Sequence, residues 1–501
     1  MRNHLTLIWL SCSLMAFSQN LTKDPVATRY AAQITEEDLR DKLSILASDA
    51  LEGRMVGTRG QKMAAAFIRH HFESAGLKGP VNGGFFQPVI LTETKPGEHS
   101  LMSGSETFAD FSDHFYMGSA DSNGPKSAPL SFIGSPSAQD LEKLNVSGKA
   151  ALLFAPDLEF DHFRDFYKTA ETLRGKGALA VLISPSVSDE EFTKKRDMLK
   201  EWVGNGNLSL EKDPDAGMDV FFVRRSLAAR LMGTSAEKLN AAITKGKMPK
   251  DTRISWINRT VVSEVASENV LGYLEGTDKK DELVIVTAHF DHVGTTAAGE
   301  GSDRIFNGAD DDGSGTSAVV ELAETFAAAA REGVRPRRSM LFMTVTAEEE
   351  GLFGSEHYVR NPVFPLDKTV VDLNIDMIGR SDPQHQDNPA YVYAIGSDKL
   401  SAELHQLHES VNRTYSQLQL DYTYNDEKHP ERLYYRSDHW NFAKNNVPII
   451  FYFDGIHEDY HKVSDEVSKI DFKSLTARTR LVFHTAWEIA NREKRIMPDS
   501  K

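Results

Sequence analysis

The feature that most limits what this chain can fold into is a regular alternation of segments after Asn269. Strand signals at Leu283–Ala288, Leu341–Thr346, Val370–Ile375 and Val447–Phe453 take turns with helical stretches at Ser314–Arg331, Leu352–Val359, Leu400–Asn412 and Leu475–Asn491. Alternation of that kind predicts an α/β sandwich around a mostly parallel central sheet. The whole chain has 501 residues, and at roughly 150 residues per domain it exceeds a single unit. Apolar residues make up 40% and charged residues 26%, which suits a globular chain with a real core. The formal charge of −16 repels phosphate and speaks against a nucleic-acid or anionic-membrane surface. No apolar run approaches the roughly 18 residues that a membrane-spanning helix needs.

Three further stretches precede the alternating part. In residues 1–18, Arg2 and His4 lead into the apolar Leu5–Leu10, and Ala16 and Ser18 form a small-x-small cleavage site. That pattern predicts a secretory signal peptide, hence a secreted or periplasmic protein. The single cysteine, Cys12, lies inside it, and its flank is a poor match to a lipid-attachment box. Helical signals follow from Thr35 and over Gln61–Ala75, while 80–127 is rich in Gly, Ser and Pro with short strand-like pieces. Residues 128–262 read as a separate β-rich module, with strand signals at Leu130–Ile133, Ala150–Phe154, Leu179–Ile183 and Val220–Val223. The amphipathic stretch Phe163–Lys176 lies among them, and 186–218 reads as a polar surface excursion.

The chemistry concentrates directly after the strands. His289 and Asp291 follow the first, Glu348, Glu349 and Glu350 the second, Asp376 the third, and His457 and His461 the fourth. Open α/β sheets bind ligands beyond the carboxyl ends of their strands, so four strand ends deliver carboxylate or imidazole to one rim. Imidazoles and carboxylates without cysteine suit zinc or a similar divalent ion. The run Asp310-Asp311-Asp312 sharpens this. One aspartate at a helix start is a common cap, but three adjacent ones repel unless something positive neutralises them.

The segments Ala288–Asp291, Asn307–Gly315, Ala347–Gly351, Asn374–Met377 and Tyr460-His461 resemble, in order, the signature of the co-catalytic zinc aminopeptidases. That family includes bacterial leucyl aminopeptidases and relatives of glutamate carboxypeptidase. The resemblance implies a zinc exopeptidase fold split into 24–127 and 263–495, with 128–262 as an inserted protease-associated domain. It implies two Zn2+ per chain, one on His289 and Asp376, the other on Glu349 and His461, with Asp311 bridging both. Glu348 takes the place of the general base, and Asp291 that of a carboxylate orienting the His289 imidazole. Tyr460 and Arg436 match positions that contact the substrate in part of the family. The Glu349-Glu350-Gly351 step departs from the commoner pattern, in which an apolar residue precedes the glycine.

The implied activity is release of N-terminal residues from peptides with a free N-terminus. A carboxypeptidase or dipeptidase on the same metals is the alternative enzyme, and an inert peptide-binding protein the alternative of another class. A glutaminyl cyclase on the same fold stands further off. The competing imidazoles His292, His357, His439 and His457 are expected at the surface or behind the ligands, and Met340, Met343 and Met377 in the core. The sequence leaves the oligomeric state open.

Overall fold

A computed structural model describes residues 21–118, 124–155, 163–211, 217–245, 249–296 and 302–500. The expected signal peptide and Cys12 fall outside the described residues. The chain divides into two compact units, one built from residues 1–89 and 267–501 and the other from the continuous stretch 90–266.

In the larger unit the strands run in the order Gln419–Asp421, Tyr391–Ile395, Ile449–Phe453, Thr369–Ile375, Lys279–His289, Arg338–Val345 and the end of Thr252–Leu274. The four strands from Ile449–Phe453 to Arg338–Val345 are mutually parallel, and antiparallel strands flank them on both sides. Their side chains alternate between two cores. Val284, Val286 and Ala288 face one cluster with Phe326, Leu481 and Trp487. Leu283, Ile285, Leu341 and Met343 face another with Tyr358 and Phe442. Each such Val, Leu or Ile side chain contributes about 1.5–3 kcal/mol on burial, so the strand bodies are spoken for by packing. Within these strand bodies Asp372 is a buried exception, accepting from the Thr287 hydroxyl at 2.8 Å, whereas the carboxylates and imidazoles of the site lie at or beyond the strand ends. Met340, Met343 and Met377 are buried core residues, as the sequence predicts.

The helix Gly315–Arg331 follows the aspartate run. Its alanine-rich sequence has high helix propensity, and residues 315–323 are all buried. The helix Phe472–Asn491 starts where the Asp471 side chain accepts from the Lys473 and Ser474 amides, a cap that satisfies two otherwise orphaned donors.

The strands of the smaller unit pair in both parallel and antiparallel fashion. The start of Thr252–Leu274 pairs with Lys126–Gly134, followed by Ala150–Ala155, Ala180–Pro185, Asp219–Val223 and His114–Tyr116. Helix Phe163–Gly175 packs through Phe166, Ala170 and Leu173 on one face, and Leu227 and Leu239 of two further helices pack on the other. This unit begins at Ile90, earlier than the module read at 128–262. The reason is pairing: Thr92–Thr94 meets Asn207–Ser209, and His114–Tyr116 meets Phe221–Val223.

Two stretches hold longer elements than the sequence reading named. The stretch read as short strand-like pieces contains one strand of 18 residues, Phe86–Ser103; its central residues are partly or fully exposed, so they show no apolar alternation. The stretch read as a surface excursion holds the helix Asp189–Asn205, capped by Ser188 and with three acidic residues in its first turn. Its signal lies in the cap rather than in an apolar stripe.

Candidate metal centre

His289 is the last residue of Lys279–His289. Its Nε2 lies 3.3 Å from Asp311 Oδ1 and 3.5 Å from Asp376 Oδ1. Across the same carboxylate, His461 Nε2 lies 3.1 Å from Asp311 Oδ2 and 3.1 Å from Glu349 Oε2. Asp311 thus turns one oxygen to each imidazole. Donors around a tetrahedral ion, at bonds of about 2.1 Å, sit roughly 3.4 Å apart, so these separations suit two ions sharing one carboxylate. Asp311 Oδ2 is buried and takes no hydrogen bond although a ring nitrogen is within reach. A donor set of imidazole and carboxylate, with an orphaned oxygen at its centre, fits a pair of divalent ions.

Three adjacent aspartates divide the work. Asp310 accepts from the Gly379 amide at 2.7 Å and lies 3.2 Å from His457 Nε2. Asp312 accepts from the amides of Gly315 and Met377 at 2.9 and 3.1 Å. Asp311 alone of the three lines the pocket. His457, the rival of His461, is therefore turned to the back of the loop.

Glu348 and Glu349 follow Arg338–Val345. The Glu348 carboxylate is 3.9 Å from His289 Nε2, and Glu349 Oε1 is 2.6 Å from His292 Nδ1. His289, Glu348 and Asp376 form one close group of donors, and His292, Asp311 and Glu349 another. The 2.6 Å contact between His292 and Glu349 Oε1 has the length of a hydrogen bond, while Glu349 turns its other oxygen to His461. His292 and His439 are 1% and 0% exposed, so they are not surface residues. His439 donates to the Tyr434 carbonyl and stacks on Phe451; His357 is half-buried. Sequence reading could not single out His292, because its neighbourhood is irregular loop.

Asp291 contacts the His289 ring through its backbone carbonyl at 3.2 Å, while its carboxylate is 4.0 Å away. That carboxylate accepts from the Glu348 amide at 3.2 Å, so it anchors the acidic turn. Arg54 is buried beneath the aspartate loop and donates to its carbonyls.

Protonation reflects the crowding of charge. Burial disfavours the charged His461 ring, but Asp311 and Glu349 prevail and raise it to about 10. Burial and Asp311 push Glu349 up, yet its contacts with His292 and His461 bring it down to about 2. Burial raises Glu348 well above the carboxylate range, with Asp376 and Glu349 adding to it. His461 is thus favoured in its charged form between Asp311 and Glu349, which is the place a divalent ion would take.

Beside these groups opens a pocket whose apolar wall is Met377, Leu433, Phe451, Phe453 and Ile456, with Arg436 and Tyr460 also lining it. Tyr460 stacks on His461 with centroids 4.0 Å apart, and its hydroxyl is 3.4 Å from Arg436.

Residues 269–486 match the sequence model of peptidase family M28. The chain is 26% identical over 338 residues to aminopeptidase YwaD of Bacillus subtilis (strain 168), covering 67% of this chain and 60% of that protein. It is 32% identical over 132 residues to the probable glutamate carboxypeptidase LAMP1 of Arabidopsis thaliana, covering 26% of this chain and 17% of that one. The chain thus spans at most 60% of the length of these two relatives. Its fold resembles the aminopeptidase from Aneurinibacillus sp. strain AM-1, with a TM-score of 0.58, 17% identity, and coverage of 95% and 98% of the two chains. It also resembles the zinc aminopeptidase BSAP from Bacillus subtilis, with a TM-score of 0.53, 20% identity and coverage of 93% and 98%.

Proposed function

We propose, from the match of residues 269–486 to the model of peptidase family M28, that the protein is a zinc-dependent exopeptidase releasing N-terminal residues from peptides. The observation that carries this reading is the Asp311 carboxylate facing His289 with one oxygen and His461 with the other. His289, Asp376 and Asp311 would hold one ion, and His461, Glu349 and Asp311 the second. When bound, such a pair lowers the pKa of a shared water and polarises the scissile carbonyl. Glu348 takes the proton of the attacking water and passes it to the leaving amine as the C–N bond breaks. Two divalent charges would draw Glu348 back toward the ionised form a base needs. The carboxylate rim attracts the free α-ammonium of the substrate, and the apolar wall next to it receives the side chain of the first residue.

Arg436 and Tyr460 take the substrate's polar groups at the mouth of this pocket. The first 18 residues act as an export signal, and residues 128–262, within the 90–266 unit, form a protease-associated insert. Purified protein is expected to carry about two divalent ions per chain and to hydrolyse unblocked aminoacyl anilides in preference to N-blocked dipeptides. A metal content of zero would reject the centre. Preference for the blocked dipeptides would turn the reading to a carboxypeptidase, and two ions with no hydrolysis at all to a binding protein.

A further inference from the structure

Arg54 ends the short turn Asp49–Arg54 and is 1% exposed. Its guanidinium donates to five carbonyls: Nε to Phe290 at 2.9 Å, one terminal nitrogen to Leu46 and Asn307 at 2.6 Å each, and the other to Gly308 at 2.9 Å and Asp311 at 3.5 Å. A buried cation is ordinarily paired with a carboxylate. Among the described residues Arg54 has no such ion pair; apart from Leu46, its partners are the backbones of the loop that follows His289 and of the loop that carries Asp311.

The opposite polarity meets the second loop from the other side. Asp465, fully buried, accepts the amides of Asp310 and Asp311 on its carboxylate at 3.0 and 3.1 Å, and the Ala309 amide on its carbonyl at 3.1 Å. The loop from Asn307 to Asp311 therefore has its carbonyls drawn to a cation and its amides to an anion. The Arg54 fork also reaches Phe290, next to His289, so one rigid planar group spans both loops.

We propose that Arg54, with Asp465 opposite it, is a positioning residue that sets the separation of His289 and the bridging Asp311 carboxylate and so the affinity of the centre for its second ion. The inference rests on the two-metal reading above. A lysine would keep the charge but has no planar fork to hold two loops at once. Changing partners behind metal ligands typically costs about 10–100-fold in metal affinity.

The test loads metal-free full-length protein with cobalt(II), reading the visible spectrum and the affinity by chelator competition, beside urea unfolding in chelator. Four proteins are compared: the parent, Arg54→Lys, Asp465→Asn and Lys42→Met. Lys42 is a buried cation of the same unit, paired with Glu321 and Glu324 at 2.7 and 3.0 Å, so its loss reports destabilisation alone. We expect the Lys42 variant to unfold more easily yet bind two ions like the parent. Arg54→Lys and Asp465→Asn should bind the second ion at least about tenfold more weakly, with an altered spectrum. Should Arg54→Lys fail to fold, Asp465→Asn carries the comparison. Parental affinity and spectrum in the folded variants would overturn the inference while leaving the two-metal centre standing. A parent that takes up no cobalt would overturn both.

Discussion

At the scale of single residues, Glu348 and Glu349 are chemically identical neighbours whose carboxylates face different partners. Glu349 lies against both His461 and His292, whereas Glu348 reaches only toward His289, at 3.9 Å. Glu348→Gln is expected to keep both ions and a near-parental KM while kcat falls by about 10²–10⁴-fold, the usual worth of a general base. Glu349→Gln should lose one ion, because a neutral amide is a poorer ligand, and excess zinc should restore part of its activity. Metal content and kcat measured on the same samples check both, and the reverse pattern would exchange the two roles. The chemistry of these residues was legible because charges that interrupt apolar strand runs stand out. Which aspartate of Asp310-Asp311-Asp312 points into the pocket was not readable from composition, since each has a different backbone partner. Arg54 was not legible either: its decisive partners, Asn307 and Gly308, lie 253 and 254 residues away.

At the scale of elements, the turn Asp49–Arg54 shows how a few residues underpin the strand ends. Gly53 has φ of +67°, and a Cβ there would fall 2.2 Å from the Gly294 carbonyl oxygen and 2.6 Å from that of Phe306. Backbone atoms cannot swing aside as a side-chain tip can. Gly53→Ala should therefore destabilise the protein by about 3 kcal/mol, combining left-handed strain with overpacking. Urea unfolding with and without zinc measures it; an unchanged midpoint would mean that the turn moves freely. The buried strands of the larger sheet were readable because packing on both faces leaves an uninterrupted apolar run. Phe86–Ser103 was missed because Thr94 to Glu98 are partly or fully exposed, so backbone pairing rather than side-chain burial keeps that stretch extended.

At the scale of the whole molecule, buried neutral histidines tie stability to pH. His408 is 0% exposed, packs edge-on against Tyr452, and among the described residues finds no hydrogen-bond partner for either ring nitrogen. Burial, with His405 nearby, lowers it to about 3. Its folded value therefore lies below the unfolded value of about 6.5. Above that pH both states are neutral and its contribution is complete; below it the unfolded chain takes the proton first and stability falls. Between pH 7 and 4.5, His408→Leu should lose on the order of 2–3 kcal/mol less than the parent. Urea titrations at the two pH values decide this, and equal losses would show that His408 titrates alike in both states.

The ligand set is drawn from segments far apart in the chain, with Arg54 near one end of the larger unit and His461 near the other. A nascent chain that has emerged only as far as Asp376 carries four of the five residues proposed to hold metal, but it has neither His461, the fifth, nor Asp465 to hold the aspartate loop. The centre can close only after most of the molecule has been synthesised and Arg54 has met its distant carbonyls. If the proposed two-metal peptidase reading holds, any product ending before residue 461 lacks one ligand of the second ion, and such truncated chains are expected to be inactive.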